Sequence, residues 1–132
     1  MAFNRVVFSS VKSDWRTPKK FYDELNKEFN SDFDPCPSNP TFDGLNIEWG
    51  KRNFVNPPYG NQTKLWLKKG VEEWKKGKLV VFLIPSRTGN KWFHDYVMQA
   101  TEIRFIKGRL KFEGADNSAP FDSCIAVFKP KL

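Results

Sequence analysis

Histidine and cysteine are among the scarcest residues of this chain, with one histidine, His94, and two cysteines, Cys36 and Cys124, among 132 residues. Two cysteines so far apart, outside any CxxC spacing, exclude a disulfide framework or a zinc site and read as free thiols. No metal is expected. His94 falls in a helical stretch and reads as a surface or core side chain rather than a base. No apolar run is long enough to cross a bilayer, and the first residues lack the charged-then-apolar order of a signal peptide. A soluble, intracellular protein without a membrane partner is therefore expected. Repeats, low-complexity stretches and linkers are also missing, so residues 1–132 read as one domain, with 1–13 a loosely held arm that shows no periodicity.

Positive charge and aromatic rings are plentiful. The 22 Lys and Arg outnumber the 15 Asp and Glu, giving +7, and 16% of residues are aromatic, 13 Phe and 5 Trp among them. Phosphate is the natural partner of such a surface. Lys68, Lys69, Lys75 and Lys76 read as the solvated face of a helix. Lys51, Arg52, Lys107, Arg109 and Lys111 are better nucleic-acid contacts because they flank candidate site loops. Most of the rings must be core in a chain this short.

Thr17-Pro18 opens a helix, with Thr17 as cap, Pro18 at the first helical position, and Phe21, Tyr22, Leu25 and Phe29 as one apolar stripe. A short strand is expected near Asp32–Asp34, followed by irregular chain around Pro35, Pro37 and Pro40. Further elements are a strand over Asn53–Asn56, a helix over Thr63–Lys76 ended by Gly77, and a buried strand over Leu79–Ile84. A short helix over Lys91–Gln99 and strands near Glu102–Ile106 and Ser123–Phe128 complete the order. The alternation calls for an α/β fold, a mainly parallel sheet with helices on both faces and an antiparallel edge strand after the last, helix-free connection.

Asn56-Pro57-Pro58-Tyr59 follows the first of the longer strands, where ligands collect in open α/β sheets. Its residue types suit an exocyclic base amine, a poor nucleophile whose two hydrogens each need an acceptor. The Asn56 side-chain oxygen offers one and the Pro57 carbonyl the other. Pro57 and Pro58 fix that carbonyl in advance. Tyr59 offers a ring face to an extruded base. The bland alternative is a proline-rich turn with Tyr59 as an ordinary rim aromatic.

The ordered set Asp14-Trp15-Arg16-Thr17-Pro18, Asp34-Pro35-Cys36, Asp43-Gly44-Leu45 with Trp49, Asn56-Pro57-Pro58-Tyr59-Gly60, Leu83-Ile84-Pro85, Trp92-Phe93 and Gly108-Arg109-Leu110-Lys111-Phe112 resembles the phage-type DNA adenine methyltransferase (Dam) family. The resemblance spans most of the chain. It implies a truncated Rossmann-like fold and methyl transfer from S-adenosylmethionine to the 6-amino group of adenine in DNA. It implies, too, a bacterial cytoplasmic setting with a phage or prophage origin. By the same resemblance Asn56, Pro57, Pro58 and Tyr59 are catalytic, and Trp15, Thr17, Pro18, Asp34, Pro35, Cys36 and Asn56 hold the cofactor, Asp34 through the methionine amino group. Asp43 and Glu48 are candidates for the ribose hydroxyls by analogy with dinucleotide folds. Without the resemblance, Thr17-Pro18 reads equally as a plain helix start, and Asp34 has the alternative of a solvent-facing turn carboxylate.

Two departures from the family pattern stand out. The loop Cys36-Pro37-Ser38-Asn39-Pro40 has none of the expected glycines. About 20 residues between Asp34 and Asn56 are too few for two strand-helix units, so the fold is trimmed and lacks a target-recognition domain. Loops 60–63 and 107–120 then have to read sequence, and a single-stranded or distorted DNA substrate is expected. Cytosine 4-amino or RNA adenine methylation, or a nucleic-acid-binding module that has lost its cofactor, are the alternatives. The chain is either monomer or homodimer.

Overall fold

The structure, a computed structural model, describes residues 15–131. The arm expected over 1–13 lies outside the described residues. The elements run α1 (Lys19–Phe29), β1 (Arg52–Val55), α2 (Thr63–Lys75), β2 (Leu79–Pro85), α3 (Lys91–Asp95), a 3-10 turn (Val97–Gln99), β3 (Glu102–Phe105) and β4 (Ser123–Phe128).

The four strands form one sheet in the order β1-β2-β4-β3. β1 and β2 pair in parallel, whereas β4 is antiparallel to both of its neighbours, β2 and β3. The mixed sheet corrects the expectation of a mainly parallel sheet with an antiparallel edge strand: β4 is interior and β3 is the edge. Burial is the reason. Every residue of β4 is buried, so its apolar run needs neighbours on both sides, while β3 is only partly covered and carries Glu102 and Arg104. The strand expected at Asp32–Asp34 is reduced to a single parallel bridge, Phe33 to Asn53.

Alternation along β2 divides the core between two faces, as a strand period of two requires. Val80, Phe82 and Ile84 pack with Trp66, Leu67 and Val71 of α2 and Phe93 of α3. Leu79, Val81 and Leu83 pack with Phe29 of α1, Phe112 and Ala119 on the opposite face. Helices therefore cover both faces, as expected.

Local rules explain the helix ends. α2 stops at Gly77, whose φ of +101° suits glycine alone. The helix expected over Lys91–Gln99 breaks at Tyr96 and continues as the 3-10 turn. α1 begins one residue later than expected: Pro18 occupies its N-cap without a side-chain cap. Its first amide, Lys19 N–H, donates instead to Glu113 Oε1 at 2.8 Å, a cap reaching across 94 residues of sequence.

Beneath the sheet, Glu73 is fully shielded and anchors the β1 entry. It accepts the Trp49 amide at 3.0 Å, Lys76 Nζ at 2.9 Å and Lys78 Nζ at 2.5 Å, with Lys69 Nζ at 3.3 Å. Burial alone would raise its carboxyl pKa, but these donors outweigh burial and hold it at about 2.

Candidate active site

Asn56 leaves β1 at its carboxyl end, where the chain turns away from the sheet. Its Nδ2 donates to the Trp15 carbonyl and, at 3.1 Å, to Thr17 Oγ1. A carbonyl can only accept, so this contact fixes which end of the amide is nitrogen. Oδ1 is thereby turned the other way, where it is buried with no hydrogen-bond partner among the described residues. Three other buried side-chain polar atoms share that condition, in Trp66, Ser86 and Ser123. Of the four, only Asn56 lines either of the two clefts that flank this turn.

The following residues are held still. Pro57 is buried, and its carbonyl makes no hydrogen bond among the described residues. The Pro58 carbonyl is occupied by Thr63 Oγ1 at 3.0 Å, and Thr63 Oγ1 also accepts the Gly60 amide at 3.1 Å. Gly60 takes φ +112° there, a conformation open to glycine. Tyr59 donates its hydroxyl to the Leu83 carbonyl at 3.2 Å and packs edge-on against Phe121 at 5.4 Å and Phe112 at 6.3 Å. Burial first, then Cys124 and Cys36, pushes its phenol pKa well up, so Tyr59 stays a neutral donor.

A cleft of about 500 Å³ opens on the Asn56 side of this turn, bounded by Trp15, Thr17, Asp34, Cys36, Pro58 and Glu113 among others. Its size lies in the range of small-molecule sites. Asp34 Oδ1 accepts the Cys36 amide at 2.9 Å. The residue is open to solvent, yet its carboxyl lies in a concavity crowded by protein. That crowding raises its pKa, with the Cys36 amide working the other way. Gly44 holds the loop in place, since a Cβ there would lie 2.0 Å from the Pro35 carbonyl oxygen. The charged lining is balanced, Arg16 and Lys19 against Asp34 and Glu113.

The structure brings Trp15, Thr17, Asp34, Cys36, Asn56 and Pro58 together around this cleft, while Pro18 and Pro35 adjoin lining residues. Asp43 stands apart, its carboxylate accepting the Leu45 amide at 3.0 Å and Asn46 Nδ2 at 2.6 Å. Glu48 pairs with Lys76 and Lys78. Lys51 and Arg52 lie at the other end of β1, about 16 and 13 Å from Asn56 by strand rise. Arg52 Nε donates there to the Phe29 and Asn30 carbonyls at the end of α1. Lys107, Arg109 and Lys111 are exposed on the loop that follows β3, at the same end of the sheet as Asn56. Sequence reasoning missed Glu113, which lines the cleft, caps α1 and donates its amide to the Arg16 carbonyl at 2.9 Å. Its only sequence signal is its place just after Phe112.

The family model described as DNA N-6-adenine-methyltransferase (Dam) matches residues 6–128. The DNA N-6-adenine-methyltransferase of Haemophilus phage HP1 is 27% identical over 141 aligned residues, covering 92% of this chain and 82% of the phage protein. No solved structure matches the chain. With the family model spanning nearly all of its length, the chain belongs to the Dam family of DNA N-6-adenine-methyltransferases.

Proposed function

We propose that the cleft beside Asn56 holds S-adenosylmethionine and that the Asn56–Tyr59 turn holds the target adenine, on one trimmed Rossmann-like domain. The unpartnered Asn56 Oδ1 carries this reading. A buried acceptor left unsatisfied costs about 1–3 kcal/mol, and a ligand N–H that reaches it removes that cost. The cleft's volume and balanced charge suit a donor bearing both an ammonium and a carboxylate.

When bound, S-adenosylmethionine supplies an electrophilic methyl group on a sulfonium sulfur. Asp34 receives the methionine ammonium in a charge-assisted hydrogen bond. Trp15 and Thr17 serve the site through Asn56, fixing its amide so that Oδ1 accepts one hydrogen of the adenine 6-amino group. The Pro57 carbonyl accepts the other. Two fixed acceptors draw that nitrogen toward a pyramidal, nucleophilic geometry and aim its lone pair for direct in-line transfer. Tyr59, anchored to Leu83, presents a ring face on which the flipped base stacks. The aromatic wall of Trp15, Phe112 and Phe121, with ring centroids 5.5–6.1 Å apart, keeps the reacting atoms from water.

The test is incubation with S-adenosylmethionine and either DNA or RNA oligonucleotides, followed by mass analysis of the nucleosides. N6-methyladenine in DNA is expected. Methyl on cytosine, on RNA alone, or on nothing would overturn the reading in favour of one of the alternatives.

A further inference from the structure

A second cleft, of about 880 Å³, lies on the other side of the same turn, and Tyr59 rather than Asn56 lines it. Its charge is unbalanced. Lys64 and Lys68 project from α2, Arg87 from the loop after β2 and Lys91 from α3, all four exposed and opposed only by Asp95. The Lys91–Asp95 pair, at 2.5 Å, is an exposed contact one helical turn apart, and a phosphate can displace it at little cost. Four cations from three separate elements meet in one hollow, whereas the donor cleft holds two of each sign.

Rings line the floor beside these cations. Tyr59 and Trp92 are half-buried, each with surface in the cleft. The Arg87 guanidinium stands 5.9 Å from the centre of the Phe121 ring, and that ring packs edge-on against Tyr59. Cation and stacking face are thus contiguous with the turn itself. Cationic rims over aromatic floors bind strands whose base faces are free. In a duplex, those faces are covered by neighbouring bases.

We infer that this second cleft binds an unpaired DNA strand on one side of the target adenine, Lys64, Lys68, Arg87 and Lys91 holding its phosphates and Trp92 stacking a flanking base. This inference rests on the reading that the Asn56–Tyr59 turn holds the adenine. It makes the enzyme selective for single-stranded or locally opened DNA.

The experiment is fluorescence anisotropy with a labelled strand of about 12 nucleotides containing one adenine, alone and annealed to its complement, at ~50 and ~200 mM salt. The single strand is expected to bind at least about tenfold more tightly than the duplex. Lys64→Glu combined with Arg87→Glu should weaken single-strand binding by about tenfold or more. It should also reduce the logarithmic salt slope by about 1.4, roughly 0.7 for each lost phosphate contact. Both side chains are exposed, so the melting temperature should hold, and each single reversal should give part of the effect. Duplex binding as tight as single-strand binding would overturn the inference, as would wild-type strand affinity in the double variant. Calorimetry with S-adenosylmethionine separates the two readings. Failure of the donor to bind wild-type protein sinks the donor cleft, whereas loss of strand preference with donor binding intact sinks this inference alone.

Discussion

Replacing Asn56 with Ala should separate stability from activity. Truncation removes the Nδ2 hydrogen bonds to the Trp15 carbonyl and Thr17 Oγ1, each worth about 1 kcal/mol net. It also removes a buried Oδ1 with no partner, a burden of about 1–3 kcal/mol on the free protein. These terms oppose each other, so the net change should be about 1 kcal/mol in either direction, a shift of roughly 3–6 °C in Tm for a domain of this size. Turnover follows different arithmetic, because in the proposed function the lost acceptor is one of two for the reacting amine. Removal of one preorganised hydrogen-bonding group typically lowers kcat by about 10²–10³. The assay pairs a thermal melt with the rate of methyl incorporation into DNA adenine. A Tm drop beyond about 10 °C with activity tracking the folded fraction would refute the reasoning. So would turnover within about threefold of wild type.

Donor binding should strengthen as pH rises through the Asp34 pKa. Burial raises that pKa in the free protein, and a bound ammonium favours the ionised form, so binding should release a proton there. Calorimetry in two buffers of different ionisation enthalpy measures the release. Glu73→Gln should remove a stabilisation that is full above pH ~4.5 and lost as pH falls toward ~2. The folded-state pKa of about 2 against 4.5 corresponds to at most about 3 kcal/mol. Screening through the half-exposed Lys76 trims this to roughly 1–3 kcal/mol, read as a shallower acid limb of denaturant midpoint against pH. Gly70→Ala should destabilise despite a gain in helix propensity of about 1 kcal/mol. The new Cβ would lie 2.4 Å from the fully buried Phe82 ring, and overpacking of that kind costs about 1–3 kcal/mol. A higher Tm than wild type would contradict the packing argument.

The turn that follows β1 was legible in the sequence because its residues are local. Asn56, Pro57, Pro58 and Tyr59 are consecutive, and the strand that delivers them reads from Phe54-Val55. The apolar run of β2 and the stripe of α1 were legible for the same reason, each set by a periodicity within one element. What depended on distant partners was not. Lys51 and Arg52 neighbour the motif in sequence, but a strand carries them to the far end of the sheet, and the cations that do meet Tyr59 come from three elements. Lys68 is exposed helix surface as expected, but nothing in α2 reveals that it shares a cleft with Arg87 and Lys91. Glu113 caps a helix 94 residues earlier, a role no local pattern encodes. The interior position of β4 could have been read from Cys124–Phe128, an uninterrupted apolar run, set against the charges of Glu102 and Arg104 in β3.

In the proposed function the Asn56–Tyr59 turn divides a donor cleft from a nucleic-acid cleft. Titration of S-adenosylmethionine into Asp34→Ala and Arg87→Ala proteins, side by side with wild type, tests it most directly. Loss of a charge-assisted hydrogen bond worth about 1.5–3 kcal/mol should weaken donor binding roughly 10- to 100-fold in Asp34→Ala. Arg87→Ala should bind the donor as wild type does. Unchanged affinity in Asp34→Ala, or weakened affinity in Arg87→Ala, would contradict the division.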